Sequence, residues 1–188
     1  MGLINDIVQV QSVIHPQKKN SNHTSSNAMT TTATVEKLST GMHGVLLPDA
    51  LVQQFLDRGQ KRVLCIINGS HQQHSALTPI KGVGHCITIG MKVLKALRVA
   101  PGETLSIELR ADTSEHQFEV PEAFEAVLET DPEAREVFDR LTPGNRRSLM
   151  ALVTAVKSTD KRIERALTIA DALKRGITRA QEVARYRI

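Results

Sequence analysis

The chain has 188 residues, a formal net charge of +4, no Trp, one Tyr and four Phe. That length carries one domain or two small ones with a substantial core, which aliphatic side chains must fill because aromatic rings are so few. The same scarcity argues against base-stacking platforms and aromatic sugar-binding surfaces.

Residues 1–33 read as a leader outside the fold. Met1–Val8 is too short and too acidic for a signal peptide, and Asp6 breaks the myristoylation pattern. Lys18–Thr34 is rich in Ser, Thr and Asn, a disordered composition. Ser26-Asn27-Ala28-Met29 resembles the remnant of a cleaved tag, which would put the natural start at Met29.

Thr34–Pro48 is expected to form one or two strands, with Gly41 and Gly44 as turn residues. Asp49–Leu56 fits a short helix, capped by Asp49, with Leu51, Val52, Phe55 and Leu56 on one face. Gly59–Asn68 has the β-branched, apolar run of a strand buried on both faces. After the Asn68-Gly69 turn, His71–Gly84 is expected as a loop or irregular strand, and His85–Ile89 as strand again. Met91–Leu97 is a second short helix, and Pro101-Gly102 turns into a strand where Leu105, Ile107 and Leu109 alternate with polar residues. Laying Gly59 on Gly102 superposes Leu64 on Ile107 and Ile66 on Leu109, a repeat of about 43 residues. Gln117–Val120 is expected as a final edge strand.

From Pro121 the period becomes helical. A first helix carries Phe124, Val127 and Leu128, and Thr130-Asp131-Pro132-Glu133 restarts a second with Val137, Phe138 and Leu141. Thr142-Pro143 opens a third with Leu149, Leu152, Val153 and Val156. A fourth runs from about Thr159 to Lys174-Arg175-Gly176. Thr178 and Gln181 have the spacing of a capping box for a short fifth.

The charge is unevenly distributed. Residues 112–142 hold 10 acidic and 2 basic side chains, and residues 143–188 hold 4 acidic and 11 basic. Lys157, Lys161 and Arg165 recur every four residues and would stack into a helical stripe, with Arg162 beside it and Arg146 and Arg147 at the start of the third helix. Such a face can grip phosphates or another anionic partner; a solvated face paired with the acidic block is the plainer account. His71, His74, His85 and Cys86 are the only metal-like group, but three-residue spacing on a strand points side chains to opposite faces, so exposed loop histidines are expected. Cys65 and Cys86, without a CxxC pattern, read as buried thiols of a reducing, cytoplasmic compartment. No stretch approaches the ~20 apolar residues that cross a bilayer.

Several pieces stand in a familiar order: Gly59-x-x-Arg62-Val63 with Asn68-Gly69, Ser75-x-Leu77-x-Pro79 and Gly84, then Lys92 and Gly102. Pro121, Asp131-Pro132 with Phe138 and Leu141, and Lys157 with Arg162 and Arg165 follow. From about Thr34 to Gly176 the chain resembles the YdeI/OmpD-associated bacteriocin-protection family. It departs from that family in having Gly102-Glu103 where the family has Gly-Asp, Val156-Lys157 for its Ala-Lys, and Lys161 for the Thr before the Arg. The resemblance implies a double-split β-barrel, shaped like the AbrB/MazE-like DNA-binding regulators, joined to a helical region.

The expectation is therefore an α+β protein: a leader at 1–33, a double-split, swapped-hairpin-like β-barrel with an internal repeat at 34–120, and a C-terminal helical bundle at 121–188. It is read as a non-enzymatic binding protein of bacterial stress or antimicrobial-peptide tolerance, with no catalytic residues, cofactor or metal. The partner, anionic or protein, would meet Arg146, Arg147, Lys157, Lys161, Arg162 and Arg165. The alternatives are a DNA-binding regulator using Lys92, Lys95 and Arg98 on the barrel, or a small-molecule or metal-dependent enzyme using the histidines.

Overall fold

The computed structural model describes residues 28–38 and 41–186. Seven strands come first: β1 (Met29–Lys37), β2 (His43–Leu47), β3 (Arg62–Ile67), β4 (His71–Ala76), β5 (Thr78–Ile80), β6 (Gly84–Thr88) and β7 (Thr104–Ala111). Two short helices lie among them, α1 (Asp49–Leu56) after β2 and α2 (Met91–Leu97) after β6. The strands form one antiparallel sheet in the order β4-β3-β7-β1-β2-β6-β5. It curls like a half barrel, so that Gln73 Nε2 on β4 donates to Thr88 O on β6 at 3.0 Å.

Period-two alternation drives the inner face. Val63, Cys65 and Ile67 on β3 and Leu105, Ile107 and Leu109 on β7 are fully buried with Val45, Leu47 and Ile87, and Val52, Phe55 and Leu94 of the short helices close the core. Burial pushes the Cys65 thiol up to about 12, so it serves as an apolar core group.

The repeat is real, but its register differs from that expected. Placing Leu64 on Ile107 pairs an outward side chain with an inward one. Buried positions match instead as Val45 with Ile87, Val52 with Leu94, Val63 with Leu105 and Cys65 with Ile107, a constant offset of 42. The turn glycines, Gly59 (φ 72°) and Gly102 (φ 94°), are one residue out of step because the turn after Gly59 is one residue longer. The pairing obeys the same offset. Val45 faces Ile87, and Ile66 faces Glu108, so at one point in each pairing a residue lies opposite its own equivalent, as at the axis between strands related by a twofold. Met29↔Leu109 on β1–β7 reappears as His71↔Ile67 on β4–β3, and Glu36↔Gly44 reappears as Thr78↔Cys86. Strand β1 bends once, pairing through Thr34 with β7 and from Val35 with β2. Its equivalent is the chain that breaks into β4 and β5 at Leu77.

Two expectations are thus corrected. Met29–Thr34, assigned to a disordered segment, is a central strand, because its Thr and Ala side chains suit a half-buried sheet whatever their polarity. His71–Ala76 and Thr78–Ile80, expected as a loop or irregular strand, are the paired strands β4 and β5. The remainder of the proposed leader, residues 1–27, lies outside the described residues.

The helical region follows: α3 (Glu122–Thr130), α4 (Pro132–Arg140), α5 (Pro143–Thr154), α6 (Thr159–Lys174) and α7 (Ala180–Val183). Helix α6 packs against the other four. Phe124, Leu128, Phe138, Leu149, Val153 and Ile169 are among the side chains buried between them. Asp131 accepts from Ala134 N, Thr142 from Asn145 N and Ser158 from Lys161 N, so α4, α5 and α6 each begin on a side-chain cap. The Thr178–Gln181 box is not formed; Arg179 occupies the N-cap of α7 without a side-chain bond. Gln117–Val120, expected as an edge strand, is irregular, with Gln117 at φ 49°.

Candidate functional site

The outer face of β3, β4 and β7 changes character along its length. Arg62, Leu64 and Ile66 of β3 alternate outward, and Leu64 pairs with His74 on one side and Arg110 on the other. The internal repeat supplies a comparison. At the offset of 42, Arg62, Leu64, His74 and Asp112 correspond to Thr104, Ser106, Thr32 and Ser70. One half of the sheet thus presents hydroxyls outward, and the other presents larger and ionisable groups. That second half faces the link to the helices.

Asp112 ends β7 and organises this region. His74 Nδ1 donates to its Oδ2 at 2.7 Å, and Ser114 donates to Oδ1 from its hydroxyl at 2.6 Å and from its backbone N–H at 3.2 Å. The Asp112 side chain is only 2% exposed. Burial by itself would raise its pKa, but the bonds from Ser114 and His74 outweigh that and hold the carboxyl below its ordinary range. Gln117 Nε2 donates to Asp112 O at 3.0 Å, and Arg147 of α5 donates to His116 O at 3.3 Å, so both flanks hold the 112–118 link. The His116 ring meets Phe138 edge-on at 5.9 Å, and Phe138 meets Phe124 at 5.2 Å, continuing into the helical core.

A cleft of about 550 Å³ opens beside this network. Leu64, Val93 and Phe118 give it apolar walls, and His71, Gln72, His74, Glu119 and Thr154 give it polar ones. It draws on the sheet, on α2, on the link and on the end of α5. Because the Asp112 carboxylate can only accept, Nδ1 carries a proton, and Nε2 is the ring nitrogen that this contact leaves open. No hydrogen bond engages Nε2 among the described residues. Arg62, opposite Ala76 on β4, is half-buried. Desolvation first and Arg147 second lower its pKa, Asp112 opposes them, and its Nε is buried without a partner.

The six basic residues singled out from the sequence do not form one stripe. Helix α5 ends at Thr154 and α6 begins at Thr159, so Lys157 lies on the connection between them. Lys157 and Lys161 are exposed, and Arg165 is half-buried on α6. Arg146 Nε donates to Leu141 O at 3.0 Å and Arg162 Nε to Val156 O at 2.8 Å, each steadying a helix connection. Lys92 and Lys95 stand exposed on α2, and Arg98 caps it at φ 56°. The histidines are half-buried strand residues rather than exposed loop ones: His71 and His74 on β4, and His85 on β6 between Leu47 and Pro79. Among the described residues no group of three or more His, Cys, Asp and Glu side chains is arranged to hold a metal ion.

Asp112 and Ser114 were not singled out from the sequence. The signal available was the end of an alternating strand run at Asp112 followed by Ser114, an Asx-type turn pair. Their partner His74, 38 residues away, has no local signature.

No helix among the described residues is long and apolar enough to cross a membrane. Comparison with curated proteins finds no match. Residues 32–109 match the family model for a domain of unknown function, DUF1905, and residues 117–176 match the family described as bacteriocin-protection, YdeI or OmpD-associated. The junction between the two matches falls in the link held by Asp112. The sheet is thus similar to the DUF1905 family, and the helical region to the YdeI/OmpD-associated bacteriocin-protection family.

Proposed function

We propose that this chain is a cytoplasmic, non-enzymatic binding protein of bacteriocin protection or antimicrobial-peptide stress tolerance, engaging an anionic or protein partner through the basic end of its helical region. On this reading the curled sheet is a double-split barrel and the helices are a bundle that carries the binding face.

One observation carries the reading. The ion pairs of the acidic block use other cations than the six singled out from the sequence: Glu125 and Asp139 pair with Arg135, Glu136 with Arg140, and Asp131 with Lys174. Among the described residues, Arg146, Arg147, Lys157, Lys161, Arg162 and Arg165 form no ion pair with it. The charge of the exposed Lys157 and Lys161 is left to act outward, where a partner of opposite sign gains both affinity and association rate.

The test replaces Lys157, Lys161 and Arg165 by Ala and spares Arg162, whose guanidinium holds Val156 O. Partner recovery from cell extract and survival under bacteriocin challenge should both fall, with an unchanged melting temperature. Full survival and undiminished recovery would remove the reading.

A further inference from the structure

The cleft between β4, α2, the link and α5 has a chemistry distinct from the basic face. Glu119 is the one Asp, Glu, Lys or Arg side chain that lines it, and it forms no ion pair among the described residues. Thr154 Oγ1 donates its proton to Ala151 O at 3.1 Å, so the oxygen that remains toward the cleft is an acceptor. His74 Nδ1–H is spent on Asp112 at 2.7 Å, which leaves Nε2 as the ring nitrogen open to a ligand. His71 and Gln72 can take either role. Two committed acceptors, the Glu119 carboxylate and the Thr154 oxygen, therefore face a space walled by Leu64, Val93 and Phe118, with the His74 ring beside them.

A neutral, acceptor-only ligand would leave these groups unpaired as it displaced water, at a cost to binding. A donor-rich cation on an apolar body pairs them and covers the walls. The volume, about 550 Å³, is that of a small-molecule site rather than a protein groove. We infer that the cleft is a binding site for a small organic cation, an ammonium or guanidinium on an apolar stem, received by Glu119, Thr154 and the Asp112-held His74. The internal repeat supports this: the β1–β7 side of the sheet carries Thr32 and Ser106 at the positions that His74 and Leu64 hold on the β3–β4 side, so the site is built on one side only.

Isothermal titration of the full chain with benzylamine, and in parallel with benzyl alcohol, tests the inference at neutral pH. Benzylammonium should bind at least about tenfold more tightly than the uncharged alcohol, the advantage of a charge-assisted hydrogen bond. Glu119→Gln, at an exposed position that leaves the fold intact, should abolish most of that preference, and Thr154→Val should weaken the amine about threefold. Lys157→Ala, on the basic face, should change nothing here, which separates this site from the face proposed above. Equal affinity for the two probes, no binding of benzylamine, or a preference that survives Glu119→Gln would overturn the inference.

Discussion

His74 Nδ1 lies 2.7 Å from Asp112 Oδ2, and this contact joins the second strand of the β3–β4 hairpin to the point where the chain leaves the sheet for the helices. Because the carboxylate is buried, it depends on these donors and not on water. Asp112→Ala should lower the unfolding free energy by about 1–3 kcal/mol, the usual cost of leaving buried donors unmatched. Urea titration at neutral pH measures it; a loss well under 0.5 kcal/mol would show that the network relaxes onto solvent.

Acid should expose the same linkage. Asp112 is held below its ordinary pKa by Ser114 and His74 despite the opposing effect of burial, and Asp131 is held down chiefly by Lys174 and by the Ala134 N–H. A depressed folded-state pKa contributes stability that is complete above the unfolded value, about 4, and that fades as pH falls through the folded one. The melting temperature should therefore drop below about pH 4, and Asp112→Asn should flatten that limb. An acid limb of unchanged steepness in the variant would refute the assignment.

Asp131 begins α4 by accepting from Ala134 N at 3.1 Å, and its other oxygen meets Lys174 Nζ of α6 at 2.7 Å. Asp131→Ala should cost about 0.5–2 kcal/mol through the lost cap, the partly exposed ion pair adding little. Asp131→Asn should recover most of it, since an amide oxygen also caps. Thermal melts of the two variants distinguish the contributions.

Gly44 allows β2 and β6 to approach closely. A Cβ there would stand 2.3 Å from Ile87 O and 2.8 Å from Leu38 Cδ1, and the first of these is backbone that cannot swing aside. Gly44→Ala should destabilise by about 1–3 kcal/mol or more, as overpacking does. Gly41→Ala, in open space at φ 82°, should cost less and only through strain. Equal losses at the two sites would contradict this geometry.

Removing residues 1–34 should unfold the sheet rather than trim a tail, because Met29–Thr34 pairs along its whole length with β7. Far-ultraviolet circular dichroism of a chain beginning at Val35 should lose the cooperative transition, while one beginning at Met29 should keep it.

The helices were legible in the sequence because caps and 3.6-residue periodicity are local signals: Asp131-Pro132 and Thr142-Pro143 start α4 and α5 as expected. Strand was expected from Thr34, but the start of β1 is hidden because Met29-Thr-Thr-Thr-Ala-Thr has the composition of a linker, and only its neighbours reveal it as a central strand. The existence of the repeat was visible, but its register was set by anchoring on glycines, which mark a turn and say nothing of which face the next residue takes. The basic stripe failed at Lys157 because counting by fours ignored the break between α5 and α6. The His74–Asp112 contact was illegible for a different reason: it depends on two strands meeting, which no spacing records.

The offset that relates the halves of the sheet carries a consequence for how the chain could be divided. Residues 29–67 and 71–109 each supply the same set of pairing edges, and they meet at the exposed Asn68-Gly69-Ser70 turn. A break there severs no interstrand bond, so two separately made fragments should recombine into the parent structure, and an intact pair of chains could trade halves to give an intertwined dimer.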